Sequence, residues 1–273
     1  MKNLEKWMAR DRAKVATDAK ASSDDPSSMA EGELIDELKE GALTFDCVPI
    51  EMRTPQVCLA AVQQNGYAIR FLTEAQRSPE VCLAAVRHDG RAIEHLTEAQ
   101  RTPEICLAAV SGWGDAIRFL TEAQRSPEVC LAAVQQFGDA IQHLTEAQRS
   151  PEVCLTAVSR WGPAIQHLTE AQRTPEICLA AVKEWGFAIQ YLTDAQPSPE
   201  VCLAAVQQDT AVMRDLSAAD CAQPLISDWI EANWKDVVKL LGRDKAREVA
   251  QAILDARQAD AEGAQAGYER PKG

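Results

Sequence analysis

Residues 78–101 read S-P-E-V-C-L-A-A-V-R-H-D-G-R-A-I-E-H-L-T-E-A-Q-R, and this stretch decides the fold. It recurs without insertion at a period of 24 residues. Seven copies begin at Thr54, Ser78, Thr102, Ser126, Ser150, Thr174 and Ser198. A fixed period of this size is typical of solenoids, in which each unit buries its apolar face against its neighbours. The sequence therefore predicts an all-α protein, an α-solenoid of short helical-hairpin repeats with N- and C-terminal caps.

Each copy carries the signals of two short helices. Ser or Thr followed by Pro is typical of a helix N-terminus, because the hydroxyl accepts a hydrogen bond from a free amide and proline tolerates the first turn. The apolar run V-C-L-A-A-V follows, and we expect a left-handed glycine such as Gly90 to end the helix. Ala-Ile and a leucine three residues later indicate a second helix. The segment T-E-A-Q-R predicts a tight turn or 3₁₀ segment, with Thr97 and its equivalents as the cap.

The rest of the chain divides around the repeats. Residues 1–29 are predicted to contain an amphipathic helix over 2–20 and a flexible linker at Ser22–Ser28. Residues 30–53 fit the same frame with more polar positions, as a capping repeat requires. The repeats occupy 54–221, the last copy being degenerate. The remaining predictions are one helix over 223–241 ended by Gly242, a second over 244–258, both within a C-terminal cap at 222–258, and a disordered tail at 259–273.

Charge and hydropathy exclude several classes of protein. The formal net charge is −13, and residues 54–197 carry 11 basic and 16 acidic residues, which makes a nucleic-acid groove unlikely in the repeats. No apolar run reaches the ~20 residues that span a bilayer, and the N-terminus lacks a signal-peptide core. These features predict a cytoplasmic protein without a membrane segment. An effector exported by a route independent of a signal peptide would have the same features.

Nine cysteines are present, and seven of them occupy the fifth repeat position, as Cys82 does. Stacked helices lie ~8–10 Å apart, beyond the ~7 Å Cα separation that a disulfide tolerates. The repeat cysteines are therefore interpreted as small buried apolar side chains in a reducing compartment. No C-x-x-C pair is present, so neither a metal site nor a cofactor is predicted.

The core A-A-V-x-x-x-G-x-A-I, preceded by R-[ST]-P-E-[VI]-C-L, resembles a bacterial and protist repeat family known only as a domain of unknown function. The resemblance covers about residues 43–217, with V-P-I-E-M-R at Val48–Arg53 where members have a V-P-E-E-L-R-like stretch. It implies helical repeats and, in some members, association with secreted or host-interacting proteins; it implies no enzyme activity and no known ligand. Gln76 and its equivalents depart from the family, which has an apolar residue there.

A looser similarity is to leucine-rich-variant repeats, which alternate α and 3₁₀ helices; their iron–sulfur cluster is not carried over, because the N-terminal region offers only Cys47.

Ligand contact is expected where the copies differ, because packing explains the positions that they share. The variable positions lie on either side of the glycine and on the second helix. Four successive copies carry an aromatic residue directly before the glycine. These rings form either an exposed partner site or helix-end packing contacts, and both interpretations stay open. The histidines share their column with Phe71, Phe119 and Tyr191, which favours ring packing over metal binding or proton transfer. The candidate partner-binding residues are Trp113, Phe137, Trp161, Trp185, Tyr67, Arg91, Phe187, Arg70, Arg118, His95, His143, His167 and Tyr191.

The arginine that closes each repeat is predicted to form an ion-pair ladder. Arg101, for example, follows Glu98 by three residues and precedes Glu104 by three, so a glutamate–arginine–glutamate arrangement is expected.

Enzyme motifs are absent from the sequence: it has no glycine-rich phosphate loop, nucleophile elbow or H-E-x-x-H. We therefore predict no catalytic residues and a non-enzymatic scaffold that binds a protein or peptide along the solenoid. The alternatives are a nucleic-acid-binding repeat array and a structural repeat protein that self-associates.

Overall fold

A computed structural model describes residues 26–192 and 197–266. Within these ranges every regular element is an α-helix or a 3₁₀ helix, and inside each of the two units of the chain consecutive repeat helices pack side by side. The predicted all-α solenoid of tandem repeats is confirmed. The chain forms two compact units, unit 1 (Met1–Gln136) and unit 2 (Phe137–Gly273), and each contains its own run of stacked repeats.

Each repeat contains a ten-residue α-helix and a shorter 3₁₀ helix, so the second arm of the predicted hairpin is 3₁₀. The α-helices up to the seventh copy are α1 (Glu31–Glu40), α2 (Pro55–Gln64), α3 (Pro79–His88), α4 (Pro103–Gly112), α5 (Pro127–Gln136), α6 (Pro151–Arg160), α7 (Pro175–Glu184) and α8 (Pro199–Gln208). The 3₁₀ helices that follow α2 to α8 are Gly66–Phe71, Gly90–His95, Gly114–Phe119, Gly138–His143, Gly162–His167, Gly186–Tyr191 and Thr210–Arg214.

The α-helices begin where the sequence predicts. In α3 the Ser78 hydroxyl accepts a hydrogen bond from the Val81 amide at 3.3 Å, and Pro79 occupies the first turn. The same arrangement starts α2, α4, α6, α7 and α8. The buried side chains of α3 are Val81, Cys82, Ala85 and Val86. These four residues lie on one side of the helix, and Leu83 and Ala84 on the other side are partly buried, so V-C-L-A-A-V is apolar nearly all round.

The helix ends differ from the prediction of a left-handed glycine. Asp89, which caps α3, is extended (φ −144°, ψ 112°), and Gly90 already belongs to the 3₁₀ helix. Among the described residues, only Gly41 and Gly242 have positive φ. Glycine is required at position 90 for space, because a Cβ there would lie 2.4 Å from the Ala109 carbonyl oxygen of the next repeat. The glycine column therefore allows neighbouring backbones to approach each other.

The glutamine near the end of each repeat connects neighbouring copies. In unit 1, Gln124 Oε1 accepts from the Thr121 amide at 3.1 Å, while its Nε2 donates to the Arg101 carbonyl of the preceding repeat at 3.4 Å. Gln172 makes the equivalent pair of bonds in unit 2. The predicted 3₁₀ segment with a threonine cap is confirmed: Thr121 is the N-cap of the 3₁₀ helix Glu122–Gln124, and the hydrogen bond from its amide to the Gln124 side chain closes this turn.

The arginine column binds backbone, so the predicted glutamate–arginine ladder is wrong. Arg77 Nη1 donates to the His95 carbonyl at 2.5 Å, and Arg173 Nη1 donates to the Tyr191 carbonyl at 2.6 Å. Arg101 and Arg149 make the same bond, to the carbonyls of Phe119 and His167. The acceptor lies 18 residues further along the chain, at the end of the next 3₁₀ helix, so each of these arginines fastens one repeat to the next.

The segment before the repeats packs as an additional layer of unit 1. Helix α1 lies against α2, and its Leu34 and Leu38 are buried. The Arg53 guanidinium lies over the Phe45 ring at 4.6 Å, and its Nε donates to the Val48 carbonyl at 2.9 Å. Of the predicted linker, Pro26–Ser28 form a 3₁₀ turn. The predicted helix over 2–20 lies outside the described residues.

The C-terminal region contains α9 (Ala218–Cys221), α10 (Pro224–Ala232), α11 (Trp234–Leu241) and α12 (Arg243–Ala266). The single helix predicted over 223–241 is wrong, because Asn233 (φ −114°, ψ 20°) leaves helical geometry and its side-chain amide donates to the Trp229 carbonyl at 2.8 Å. Gly242, at φ 78°, ends α11. The tail predicted from 259 is helical as far as Ala266, since A-D-A-E-G-A-Q-A is rich in strong helix formers. Residues 267–273 lie outside the described ranges.

Candidate partner-binding face

The variable side chains project from the 3₁₀ helices and from the residue before each of them. Counting from the Ser or Thr that starts a copy, they occupy positions 12, 14, 17 and 18. Positions 13, 15 and 16 are buried, as Gly90, Ala92 and Ile93 illustrate. We call the surface formed by positions 12, 14, 17 and 18 the variable face. All thirteen candidate residues belong to it, and none of them is fully buried.

The aromatic residues at position 12 of unit 2 are Phe137, Trp161 and Trp185, which we call the aromatic row. Phe137 is 45% exposed and Trp161 is 48% exposed. A Cβ placed on Gly138 or Gly162 would lie 2.8–2.9 Å from the β-carbon of Trp161 or Trp185. Each of these two tryptophans therefore lies beside a glycine of the preceding repeat, and the glycine has no side chain that would cover the tryptophan ring. Trp185 is half-buried because its ring meets Phe187 at 5.9 Å and Tyr191 at 6.2 Å.

The variable face of unit 1 carries arginines stacked on aromatic rings. The Arg118 guanidinium lies 5.3 Å from the Trp113 ring and 4.7 Å from the Phe119 ring. Arg91 lies 5.8 Å from the Tyr67 ring, and Arg70 lies over the Phe71 ring. Asp89 pairs with Arg91 and Asp115 with Arg118, both at 3.2 Å, so carboxylates balance two of these charges. Exposed pairs of this kind stabilise a structure only weakly.

At position 17, three successive copies of unit 2 carry glutamine, whereas two of the three copies of unit 1 carry arginine. Gln142, Gln166 and Gln190 occupy position 17 and are exposed. Gln142 Nε2 donates to Asp139 Oδ2 at 2.7 Å, and His167 Nε2 lies 3.0 Å from Asp139 Oδ1. The two units therefore differ in what surrounds their aromatic rings: arginines stack on the rings in unit 1, whereas neutral amides lie beside the aromatic row in unit 2.

The histidines of position 18 pack against other side chains. His95 meets the Tyr67 ring edge-on at 5.5 Å, and its carbonyl is the acceptor of Arg77. Burial lowers the pKa of the His95 imidazole, which favours the neutral ring. Across residues 26–192 and 197–266, no group of three or more His, Cys, Asp or Glu side chains is placed to hold a metal ion.

Position 11, at the end of each α-helix, is a variable column that the sequence interpretation passed over. In unit 1, His88 Nδ1 accepts a hydrogen bond from the Gly66 amide of the preceding repeat at 3.1 Å. In unit 2, Gln208 Oε1 accepts from the Gly186 amide at 2.9 Å. The column also contains Gly112, which has no side chain to offer. Variation at position 11 therefore affects the contact between repeats as well as the surface.

The cysteines behave as core residues. Cys47 is exposed and the other eight are buried. The Cys82 thiol donates to the Arg77 carbonyl at 3.5 Å. Burial raises the pKa of the Cys82 thiol, and it raises the pKa of Cys202 and of Cys221 to about 11. The thiolate is the reactive form of cysteine. The buried thiols are therefore protected from reaction in two ways, because reagents do not reach them and because they stay protonated.

Thiol titration should therefore distinguish Cys47 from the rest. With a disulfide reagent at about pH 8, we expect one rapidly reacting thiol per native chain and eight more only after unfolding. The Cys47→Ser variant, as a control, should show no rapid reaction. Two or more rapidly reacting thiols in the native wild type would contradict burial of the repeat cysteines.

Comparison with known proteins assigns the chain to no class, so its classification rests on its own repeats. No family model matches the sequence, and neither curated proteins nor solved structures include a significant match. The resemblance to the repeat family of unknown function thus stays a prediction. Within the described ranges, no helix is both long enough and apolar enough to cross a membrane.

Proposed function

We propose that this chain is a non-enzymatic scaffold that binds a peptide segment of a partner protein on its variable face. One observation carries the proposal: large aromatic side chains recur at the same position of successive repeats, and two neighbouring ones are exposed, Phe137 at 45% and Trp161 at 48%. Contiguous exposed apolar surface is typical of partner sites, and tryptophan is enriched among the residues that dominate binding energy.

The architecture supports the same function. Buried positions are nearly identical from copy to copy, whereas the variable face changes its side chains over an unchanged backbone. Helical repeat arrays use extended surfaces of this kind for binding. Fixed helices also hold the aromatic rings in place before binding, which lowers the entropy lost on association.

A displayed library of random peptides should test the proposal. We expect the full chain to enrich peptides that bind with micromolar affinity, and Trp161→Ala should weaken their binding about tenfold or more. Titration calorimetry with the selected peptides measures the change. Half of the Trp161 surface is already exposed, so circular dichroism should show that the variant remains folded.

Glu152→Ala is the matched control, since Glu152 is exposed in the same repeat but lies on α6 outside the variable face. It should leave the affinity unchanged. Peptides that bind equally well to wild type and Trp161→Ala would contradict the proposal. Steeply salt-dependent binding of RNA or DNA would favour the nucleic-acid alternative, and a mass that rises with concentration in light scattering would favour self-association.

A further inference from the structure

We propose that the ligand of the aromatic row is a proline-rich peptide in the polyproline II conformation, with a basic residue beyond its last contacting proline. This inference rests on the proposed function and specifies the chemistry of its ligand. The row places Phe137, Trp161 and Trp185 at position 12 of three consecutive repeats, and the next residue in the same column is Asp209.

The spacing expected for the row from helix packing matches this conformation. Packed helices lie ~8–10 Å apart, so equivalent residues of neighbouring repeats recur at about that distance. A polyproline II helix has three residues per turn and rises 3.1 Å per residue, so every third residue recurs at about 9.3 Å on the same side. Side chains on one side of a β-strand recur at about 6.6–6.8 Å. One and two turns of an α-helix measure about 5.4 and 10.8 Å. Polyproline II is therefore the conformation that meets one ring per turn.

The side chains beside the row suit a ligand that lacks amide protons. Proline has no N–H, and the carbonyls of a polyproline II helix have no internal partners, so recognition requires donors on the protein. The exposed side-chain amides of Gln166 and Gln190 lie one per repeat and can donate to such carbonyls, as can the indole N–H groups of Trp161 and Trp185. Gln142 is already bonded to Asp139, so we assign the donor role to the other two glutamines.

Charge complementarity assigns the basic residue. Asp209 continues the column of the row, and one of its oxygens, Oδ1, accepts from the Ala211 amide at 2.8 Å, which orients the carboxylate. Residues 137–273 carry 13 basic and 20 acidic side chains, so unit 2 attracts cations. An arginine or lysine one turn beyond the proline on Trp185 would reach Asp209, whereas an acidic residue there would be repelled.

Synthetic peptides with proline at every third position and arginine at either end test the inference on the full chain. We expect one orientation to bind with micromolar affinity in calorimetry. Replacing the prolines by glycine should weaken binding about tenfold or more, because the polyproline II conformation is then no longer preformed. Replacing the arginine by glutamate, or introducing Asp209→Asn, should weaken binding several-fold.

The variants Trp161→Ala and Gln190→Ala should both weaken binding of the proline peptide, and we expect the second to remain folded because it changes an exposed side chain. Leu254→Ala, which alters an exposed leucine elsewhere in unit 2, should have no effect. If library-selected peptides bind in a Trp161-dependent manner but tolerate glycine at every proline, the polyproline inference is overturned while the proposed function stands. If neither peptide class depends on Trp161, both are overturned.

Discussion

Gly90→Ala is expected to lower the free energy of unfolding by about 2–3 kcal/mol, although it adds a single methyl group. The added Cβ would lie 2.4 Å from the Ala109 carbonyl oxygen and 2.9 Å from the Trp113 Cβ. Both are atoms of the next repeat that no side-chain rotation can move. The two repeats would have to separate, and contacts along α3 and α4 would be lost. Urea unfolding followed by circular dichroism measures the change.

Gly112→Ala provides a matched control in the same unit. A Cβ on Gly112 would have its nearest neighbours at 3.9 Å, in ordinary contact, and alanine favours a helix over glycine by ~1 kcal/mol. This variant should be as stable as wild type or slightly more so. Because repeat arrays can unfold in parts, hydrogen exchange over residues 78–125 should localise the Gly90→Ala defect. Equal stability of the two variants would contradict a close approach of backbones at Gly90.

The period of the sequence was sufficient to predict the architecture, and the start of the α-helix in each repeat could be located to the residue. Ser78 and Pro79 act within one turn, so their roles follow from local sequence. Gly90 shows the limit of this reasoning. Glycine after a helix can be required for two physical reasons, a left-handed turn or a lack of space for a side chain. From a single sequence the left-handed turn is the natural expectation, because it depends only on residues nearby in the chain. The actual neighbour, Ala109, belongs to the next repeat and becomes visible only in the folded stack.

The arginine and glutamine columns show the same limit of local sequence reasoning, because their partners also belong to neighbouring repeats. Glu98 and Glu104 are near Arg101 in sequence, so an ion pair was the natural expectation, but the guanidinium reaches a carbonyl 18 residues away. The glutamine column was recorded only as a departure from the resembled family, yet its amide links adjacent repeats. Variation between copies indicated a set of positions that the structure leaves partly exposed, and their role in binding stays a prediction. It could not reveal that a glycine of the preceding repeat lies directly beside Trp113, Trp161 and Trp185.

Arg101→Met should lower the free energy of unfolding by about 1.5–3 kcal/mol, as expected for loss of a hydrogen bond from a charged donor to a part-buried carbonyl. Methionine keeps much of the aliphatic packing but leaves the Phe119 carbonyl without its guanidinium donor. Glu98→Gln tests the ladder that the sequence suggested. Glu98 is exposed, and the described structure gives its carboxylate no hydrogen bond or ion pair, so this variant should change stability by less than ~0.5 kcal/mol. Raising the salt concentration should leave the cost of Arg101→Met nearly unchanged, because the acceptor is a neutral carbonyl. A salt-sensitive loss shared by both variants would instead restore the glutamate–arginine ladder.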